Sequence, residues 1–358
     1  MAPLSKENLD DLAIIDPEID AALKSGKLPI PPIDYADPVK AISQLRALEG
    51  YFPIPPAIEA VSESTAKYTT RDGQELNLFV FQPAQSSDKP KPLIIFYHGG
   101  GGSLGTAYSA APWARSIVLQ HDVVVISPQY RLAPEHPFPT GPSDAWDSFA
   151  YITANASTFA ADPRAGLIVG GPSNGSSLTS IIALRAQNEP AIPKITGLYF
   201  AAPGLVSSPD TVPAEYRELY LSKTDPRCLN APILNAEMKA VFNAVYGAPE
   251  NDPLYRAFNV QPFSQHAGIA PKVYFQVCGM DILRDDSFVY ADILDGLGVQ
   301  TKVDVYKGTP HVFWGIFSWI EQAKVWKEDT GKGIGWLLAR DPSTRGSGGD
   351  DGAQRATL

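Results

Sequence analysis

The stretch Leu167-Ile168-Val169-Gly170-Gly171-Pro172-Ser173-Asn174-Gly175-Ser176 decides how this chain folds. Its opening residues form a short apolar, β-branched run. Such a run suits a parallel strand buried on both faces. A helical pattern begins at Asn174 and continues over residues 174–186. Between the two, Gly171-Pro172-Ser173-Asn174-Gly175 fits G-x-S-x-G. A sharp strand-to-helix turn holds its serine strained, with the hydroxyl exposed. Small residues two before and two after let backbones pass closely. The new helix points its first amides at an oxygen that becomes negative. The five-residue pattern is short; the strand–turn–helix context gives it meaning.

Working outward, strands are expected at residues 76–82, 93–97, 123–127, 166–170, 195–201, 272–278 and 301–306, with an edge candidate at 67–71. Helical stretches at 107–119, 174–186 and 285–297 lie between them, the last with Val289, Ile293 and Leu297 on one face. About eight strands alternating with helices imply an open, mostly parallel sheet covered on both faces. The interval between the strands ending at Ala201 and starting at Lys272 spans about 70 residues, with helix-like pieces at 215–221 and 235–246. A structureless loop of that length is unusual, so an inserted cap over about 205–262 is expected. Residues 1–60 are expected to form the N-terminal part of that cap. Asp16-Pro17-Glu18 reads there as a capped helix start, followed by Ile19, Ala22 and Leu23 at helical spacing. The main α/β domain would span 61–340, and 341–358 has the composition of a disordered tail.

The chain has 358 residues and a net charge of 29 − 39 = −10. That balance argues against nucleic acid, which needs a basic face. Hydrophobic residues at 44% and charged residues at 19% place it among globular proteins. No apolar run reaches the roughly 18 residues of a membrane span. Cys228 and Cys278, the two cysteines, exclude a disulfide scaffold and a Cys-rich zinc site. The N-terminus carries no secretory pattern, so a cytoplasmic location is expected. Proline, 33 of 358 residues, is about twice the usual share of roughly 5%. The prolines gather at 29–56, 128–142 and 203–262, where they stiffen loops.

Three further segments carry chemistry. Tyr97-His98-Gly99-Gly100-Gly101-Gly102 follows the strand at 93–97. Its glycines leave backbone N–H groups unshielded, which suits an oxyanion hole. It has no G-x-x-x-x-G-K-[ST] and so is no P-loop. His98 reads as a structural residue of that loop. Asp281 follows the strand at 272–278, and His311 follows the strand at 301–306. With Ser173 they fall on one carboxyl edge of the sheet, where open α/β sheets place their sites. Asp285 and Asp286 read as the start of the next helix, Asp304 as a strand residue, and His121, His136 and His266 as weaker bases.

The sequence resembles the hormone-sensitive-lipase-like branch of the α/β-hydrolases. The matching segments are His98-Gly99-Gly100-Gly101, the run from Tyr130 to Pro139, the serine turn, Asp281-Ile282-Leu283-Arg284-Asp285 and the His311 loop. The resemblance implies an α/β-hydrolase fold with a helical cap. It also implies a triad in the order Ser173, Asp281, His311. The oxyanion donors would be the N–H groups of Gly99, Gly100 and Asn174. The implied activity is serine ester hydrolysis through an acyl-enzyme, with no metal and no organic cofactor. The turn departs from the usual Asp-Ser-Ala-Gly-Gly, reading Pro172-Ser173-Asn174-Gly175-Ser176. His311-Val312-Phe313 stands for the usual His-Gly-Phe.

Tyr216, Tyr220, Phe242, Tyr246, Phe313 and Trp314 are the aromatic candidates for a pocket lining. An apolar pocket points to an uncharged ester with a small or medium acyl group, such as a natural-product or xenobiotic ester or lactone. Acyl transfer by the same triad is an alternative. A receptor on an inactive hydrolase fold ranks lower, because all three triad residues are present. The expected partner is a small-molecule ester. A homodimer is common among similar proteins, and no interface is readable in the residues.

Overall fold

A computed structural model describes residues 5–26, 33–51, 53–85 and 89–339; the expected tail at 341–358 lies outside the described residues. Eight strands form one sheet: β1 Val61–Thr69, β2 Glu75–Pro83, β3 Leu93–Phe96, β4 Val124–Pro128, β5 Leu167–Pro172, β6 Gly197–Ala201, β7 Lys272–Cys278 and β8 Gln300–Tyr306. The spatial order is β1-β2-β4-β3-β5-β6-β7-β8. β1 and β2 pair antiparallel, as do β2 and β4, and the remaining neighbours are parallel. The central strands β3 to β7 are almost wholly buried, as their continuous apolar runs predict.

The chain runs outward from β3 to β4, then returns past β3 to β5. The segments leaving β3 and β5 therefore diverge to opposite faces and leave a crevice at their carboxyl ends. The Gly-rich loop leaves β3 and the serine turn leaves β5, so the topology alone brings these two motifs together.

Helices cover both faces. α4 (Ala111–His121) and α10 (Glu321–Leu338) pack on one side, around Ile94, Val125, Ile168 and Tyr274. α5 (Thr140–Ala154), α6 (Asn174–Ala186) and α9 (Arg284–Gly296) pack on the other, around Leu93, Ile95, Val169 and Phe275. Alternate residues of β3 thus serve opposite cores. α5 and α10 are not anticipated by the sequence reading. α5 opens on Thr140-Gly141-Pro142, and α10 carries Gly331, Gly333 and Gly335. These lower intrinsic helix preference, and packing on the sheet overrides it. Gly333, for example, lies flat against the Tyr274 ring, which leaves no room for a Cβ.

The expectation of a single cover over residues 1–60 divides in two. α1 (Lys6–Leu12) and α2 (Pro17–Lys24) brace the β7–β8 side of the sheet. The Gly308 amide donates to Leu12 O at 2.8 Å and the Asp16 amide to Gly308 O at 3.0 Å. Buried Ile19 packs with Tyr306, Phe313, Phe317 and Ile320. Asp16 caps α2 as expected, accepting from the Glu18 and Ile19 amides. Residues 33–48, which include α3 (Pro38–Leu48), reach over the crevice instead, where Ala41, Ile42 and Leu45 pack on Val241, Val245 and Tyr246 of the inserted segment.

That segment, residues 202–271, carries α7 (Pro226–Leu229), α8 (Ala236–Tyr246) and several single 3-10 turns. The expected helix at 215–221 is a six-residue 3-10 segment, Ala214–Leu219. Buried carboxylates of α9 hold the insertion down. Asp286 accepts from the Leu205 and Val206 amides at 2.9 and 3.1 Å and from Tyr220 Oη at 2.5 Å. Asp285 accepts from the Ser222 amide at 2.6 Å and pairs with Arg284 at 2.7 Å. Arg284 also donates to Leu9 O and Gly279 O. A single ionic knot thus ties α1, the insertion and α9 together.

Candidate active site

Ser173 ends the serine turn with φ 53° and ψ −120°, outside the regions a side chain prefers. Its neighbours hold it there. The Ser173 amide donates to Ala201 O at 2.8 Å, and Ser176 Oγ donates to Gly171 O at 2.5 Å. Both flanking glycines press on the end of β3. A Cβ at Gly171 would stand 1.9 Å from Tyr97 O, and one at Gly175 would stand 2.0 Å from it. Only glycine lets the turn approach that carbonyl.

His311 reaches Ser173 from the loop after β8. Its Nε2 lies 2.8 Å from Ser173 Oγ, and its Nδ1 lies 2.6 Å from Asp281 Oδ2. With the proton on Nδ1, the imidazole donates to the carboxylate and accepts from the serine hydroxyl. Asp281 is buried, and its Oδ1 accepts from the Leu283 amide at 2.9 Å, which fixes its orientation. The competing groups point elsewhere. Asp285 is taken by Arg284, and Asp304 accepts from Tyr274 Oη and Lys302. His121 bonds Gly331 O, and His266 sits between Tyr290 Oη and Val260 O.

The Gly-rich loop folds over the same place. Gly100 has φ +112°, and its carbonyl accepts from the Ser103 and Leu104 amides, closing a tight turn. Gly99 runs beside Ser173, with room for a Cβ only 3.3 Å from Ser173 Cβ. Asn174 opens α6, so its amide has no acceptor one turn back. Its buried side-chain Nδ2 has no hydrogen-bond partner among the described residues. His98 stacks on Tyr130 at 4.3 Å, and Tyr130 Oη donates to His98 O at 2.8 Å. Burial pushes the His98 pKa down to about 4, so the ring is neutral and serves as a brace. Arg131 is clamped to buried Asp144 at 2.7 Å. Arg46 of α3 donates to Ser103 O and Ala133 O and pairs with Glu135 at 2.6 Å. That grip holds Glu135 down at about pKa 2 and fastens α3 to the loop.

A cavity of about 850 Å³ opens above these groups. Gly99, Gly100, Ser173, Asn174 and His311 line its floor. Ile33, Tyr35, Leu45 and Leu48 enclose it from the N-terminal segment, and Ile233, Leu234, Met238, Phe242 and Tyr246 from the insertion. Trp314 lines it too, stacked on Trp326 at 4.4 Å. Of the six aromatic candidates, Phe242, Tyr246 and Trp314 face this space. Tyr216, Tyr220 and Phe313 do not, and the expectation for them is corrected. Tyr216 Oη is engaged by Asp292 and Tyr220 Oη by Asp286, both anchoring the insertion. Phe313 is fully buried against Tyr306 and Trp314.

The sequence reading missed two cationic lining residues, Lys239 and Arg256. Lys239 had a legible signal: it is a charged residue at helical spacing with Phe242 and Tyr246 on α8. Among the described residues, no group of three or more His, Cys, Asp or Glu side chains is placed to hold a metal ion. No helix among them is long and apolar enough to cross a membrane.

Residues 94–315 match the family described as alpha/beta hydrolase fold. The chain is 30% identical to a versiconal hemiacetal acetate esterase of Dothistroma septosporum, over 70% of this chain and 75% of that protein. It is 28% identical to the carboxylesterase NlhH of Mycobacterium tuberculosis, over 90% of this chain and 96% of that one. The solved structure of a vibralactone cyclase superposes with a TM-score of 0.78 at 26% identity, covering 92% of this chain and 96% of that chain.

Proposed function

The chain belongs to the alpha/beta hydrolase fold family and is an esterase-type serine hydrolase, and on that premise we propose that Ser173, His311 and Asp281 cleave an ester through an acyl-enzyme. The observation that carries this reading is the unbroken hydrogen-bond chain from Ser173 Oγ through His311 to Asp281 at the floor of the cavity.

A serine hydroxyl is a weak nucleophile at its own pKa and needs an adjacent base. His311 Nε2 takes the Oγ proton as Oγ attacks the ester carbonyl. Asp281 keeps the imidazole in the productive tautomer and stabilises its protonated form without taking the proton. The new oxyanion lies against the N–H groups of Gly99, Gly100 and Asn174. Each such donor is worth roughly 10²–10³ in rate. His311 then protonates the leaving alcohol, and water repeats the cycle to release the acid. The apolar walls favour an ester with a hydrocarbon or aromatic body.

A second reading is acyl transfer to a hydroxyl of the substrate itself, closing a lactone. The likeness to a vibralactone cyclase favours it. The first cycle is the same, and only the acceptor in the second half differs.

Labelling with a fluorophosphonate followed by digestion tests the nucleophile, together with turnover of short- and medium-chain p-nitrophenyl esters. Ser173 is expected to carry the label, and Ser173→Ala to abolish both label and turnover. Turnover that survives Ser173→Ala would remove Ser173 from the mechanism. Product analysis with a hydroxy-ester separates free acid from lactone.

A further inference from the structure

We propose that the ester admitted to this cavity also carries a carboxylate, which Lys239 and Arg256 hold. The proposal rests on the esterase reading and specifies its substrate class. Both side chains line the cavity, and neither makes an ion pair among the described residues. Elsewhere the inward-facing cations of this chain are partnered. Arg115 pairs with Glu63, Arg131 with Asp144, Lys223 with Asp286 and Arg284 with Asp285. Lys272 is held by two main-chain carbonyls. The two cavity residues break that rule, and an uncompensated, partly desolvated charge is unfavourable unless a ligand answers it.

The geometry of each suits a planar anion. Lys239 stands at i+3 and i+7 spacing from Phe242 and Tyr246 on α8, and all three line the cavity, so the lysine belongs to an otherwise apolar stripe. The Arg256 guanidinium lies over the Tyr255 ring, 4.1 Å from its centre, with Nη1 donating to Tyr255 O. Stacking fixes the plane of the fork and leaves further N–H groups for a carboxylate. Of the two carboxylates that favour the Lys239 charge, Asp286 already serves Lys223, two amides and Tyr220, and Glu250 forms no ion pair with Lys239 among the described residues. Burial, with repulsion from Lys223 and Arg256, pushes the Lys239 pKa down to about 8. It is therefore charged at neutral pH, in a place where an anion is the missing partner. The apolar walls then hold the body of the molecule, and the two cations hold its acid group.

The test compares the p-nitrophenyl monoester of a medium-chain dicarboxylic acid with the same ester methylated at the free acid. The reading is the ratio of the two kcat/KM values in the wild type, Lys239→Gln and Arg256→Gln. The wild type is expected to prefer the free acid, and the ratio to fall about tenfold in each variant. An equal ratio in all three would overturn the proposal. A second measurement does not depend on hydrolysis. Calorimetry with Ser173→Ala compares 4-phenylbutanoate with its amide, in the presence and absence of Lys239→Gln. Preferential binding of the acid that Lys239→Gln removes supports the subsite; equal binding of acid and amide rejects it. Failure of Ser173 to label and of every ester to turn over would reject the esterase reading. The calorimetry would still decide the anion site.

Discussion

The floor and the roof of the cavity are built on opposite principles. The floor is backbone against backbone. The serine turn presses on the Tyr97 carbonyl, Gly100 closes its own turn, and the Ser173 amide hangs on Ala201 O. No methyl group fits between these strands and loops. The roof is side chain against side chain. α3 and α8 meet through Ile42, Leu45, Val241 and Tyr246; Arg46 fastens α3 to Glu135, and Asp285 and Asp286 of α9 fasten the insertion that carries α8. A floor of that kind fixes reacting atoms to fractions of an ångström, as acyl transfer needs. A roof of that kind tolerates exchange of one side chain for another, as substrate choice needs.

Substitutions can break or sharpen this contrast. The largest effect is expected on the floor. Asp281→Asn should lower kcat by about 10³–10⁴-fold while leaving thermal stability close to the wild type. Asp285→Asn should leave the pH dependence of kcat in place, and the reverse outcome would move the acid of the triad. Gly175→Ala drives a Cβ into the Tyr97 carbonyl. It should displace Ser173 and cost about 10² in kcat, since a misplacement near 1 Å is enough for that. If Gly175→Ala is as active as the wild type, the floor is not the rigid part.

Next comes the knot under the roof. Arg284→Met strands Asp285, which is buried with it. Urea unfolding should show a loss of about 3–5 kcal/mol, because an orphaned buried charge outweighs the lost pair itself. On the roof, Phe242→Ala should raise KM for an aryl ester about tenfold with kcat within about threefold, the pattern of lost uniform binding. An equal fall in kcat would mean that the roof also positions the reacting atoms.

The pH response of the roof is smaller and has a definite sign. The groups around Lys239 are Lys223 and Arg256, which repel its charge, and Asp286 and Glu250, which favour it. With a pKa depressed to about 8, Lys239 is charged below that value and neutral above it. Preference for a carboxylate-bearing ester should therefore fall between pH 7 and 9. In Lys239→Gln the remaining preference, owed to Arg256, should stay flat. The smallest effect is expected from Asn174→Ala. It keeps the backbone N–H and removes only the side-chain amide, whose Nδ2 has no hydrogen-bond partner among the described residues, so kcat/KM should change by less than about fivefold.

Much of the floor could be read in the residues. Strand, turn and helix around Ser173 are local patterns, and Asp281 and His311 each follow a recognisable strand. The cavity walls were only half legible. Phe242 and Tyr216 look alike in sequence, yet one faces the cavity and the other anchors the insertion through Asp292. Residues 1–60 read as one cover, yet of these 33–48 enclose the cavity, while residues 6–24 brace the β7–β8 side of the sheet.

The sequence by itself determined the alternation of strands and helices, the serine turn and the identity of the three groups joined by hydrogen bonds. Those depend on residues close together in the chain, where periodicity and turn chemistry act. Tertiary structure alone decided which aromatic rings face the cavity, where the two N-terminal pieces go, and that Lys239 and Arg256 stand there without an ion pair among the described residues. Those depend on which distant surfaces pack together and which counter-ions are already taken, and no local spacing in the chain encodes that.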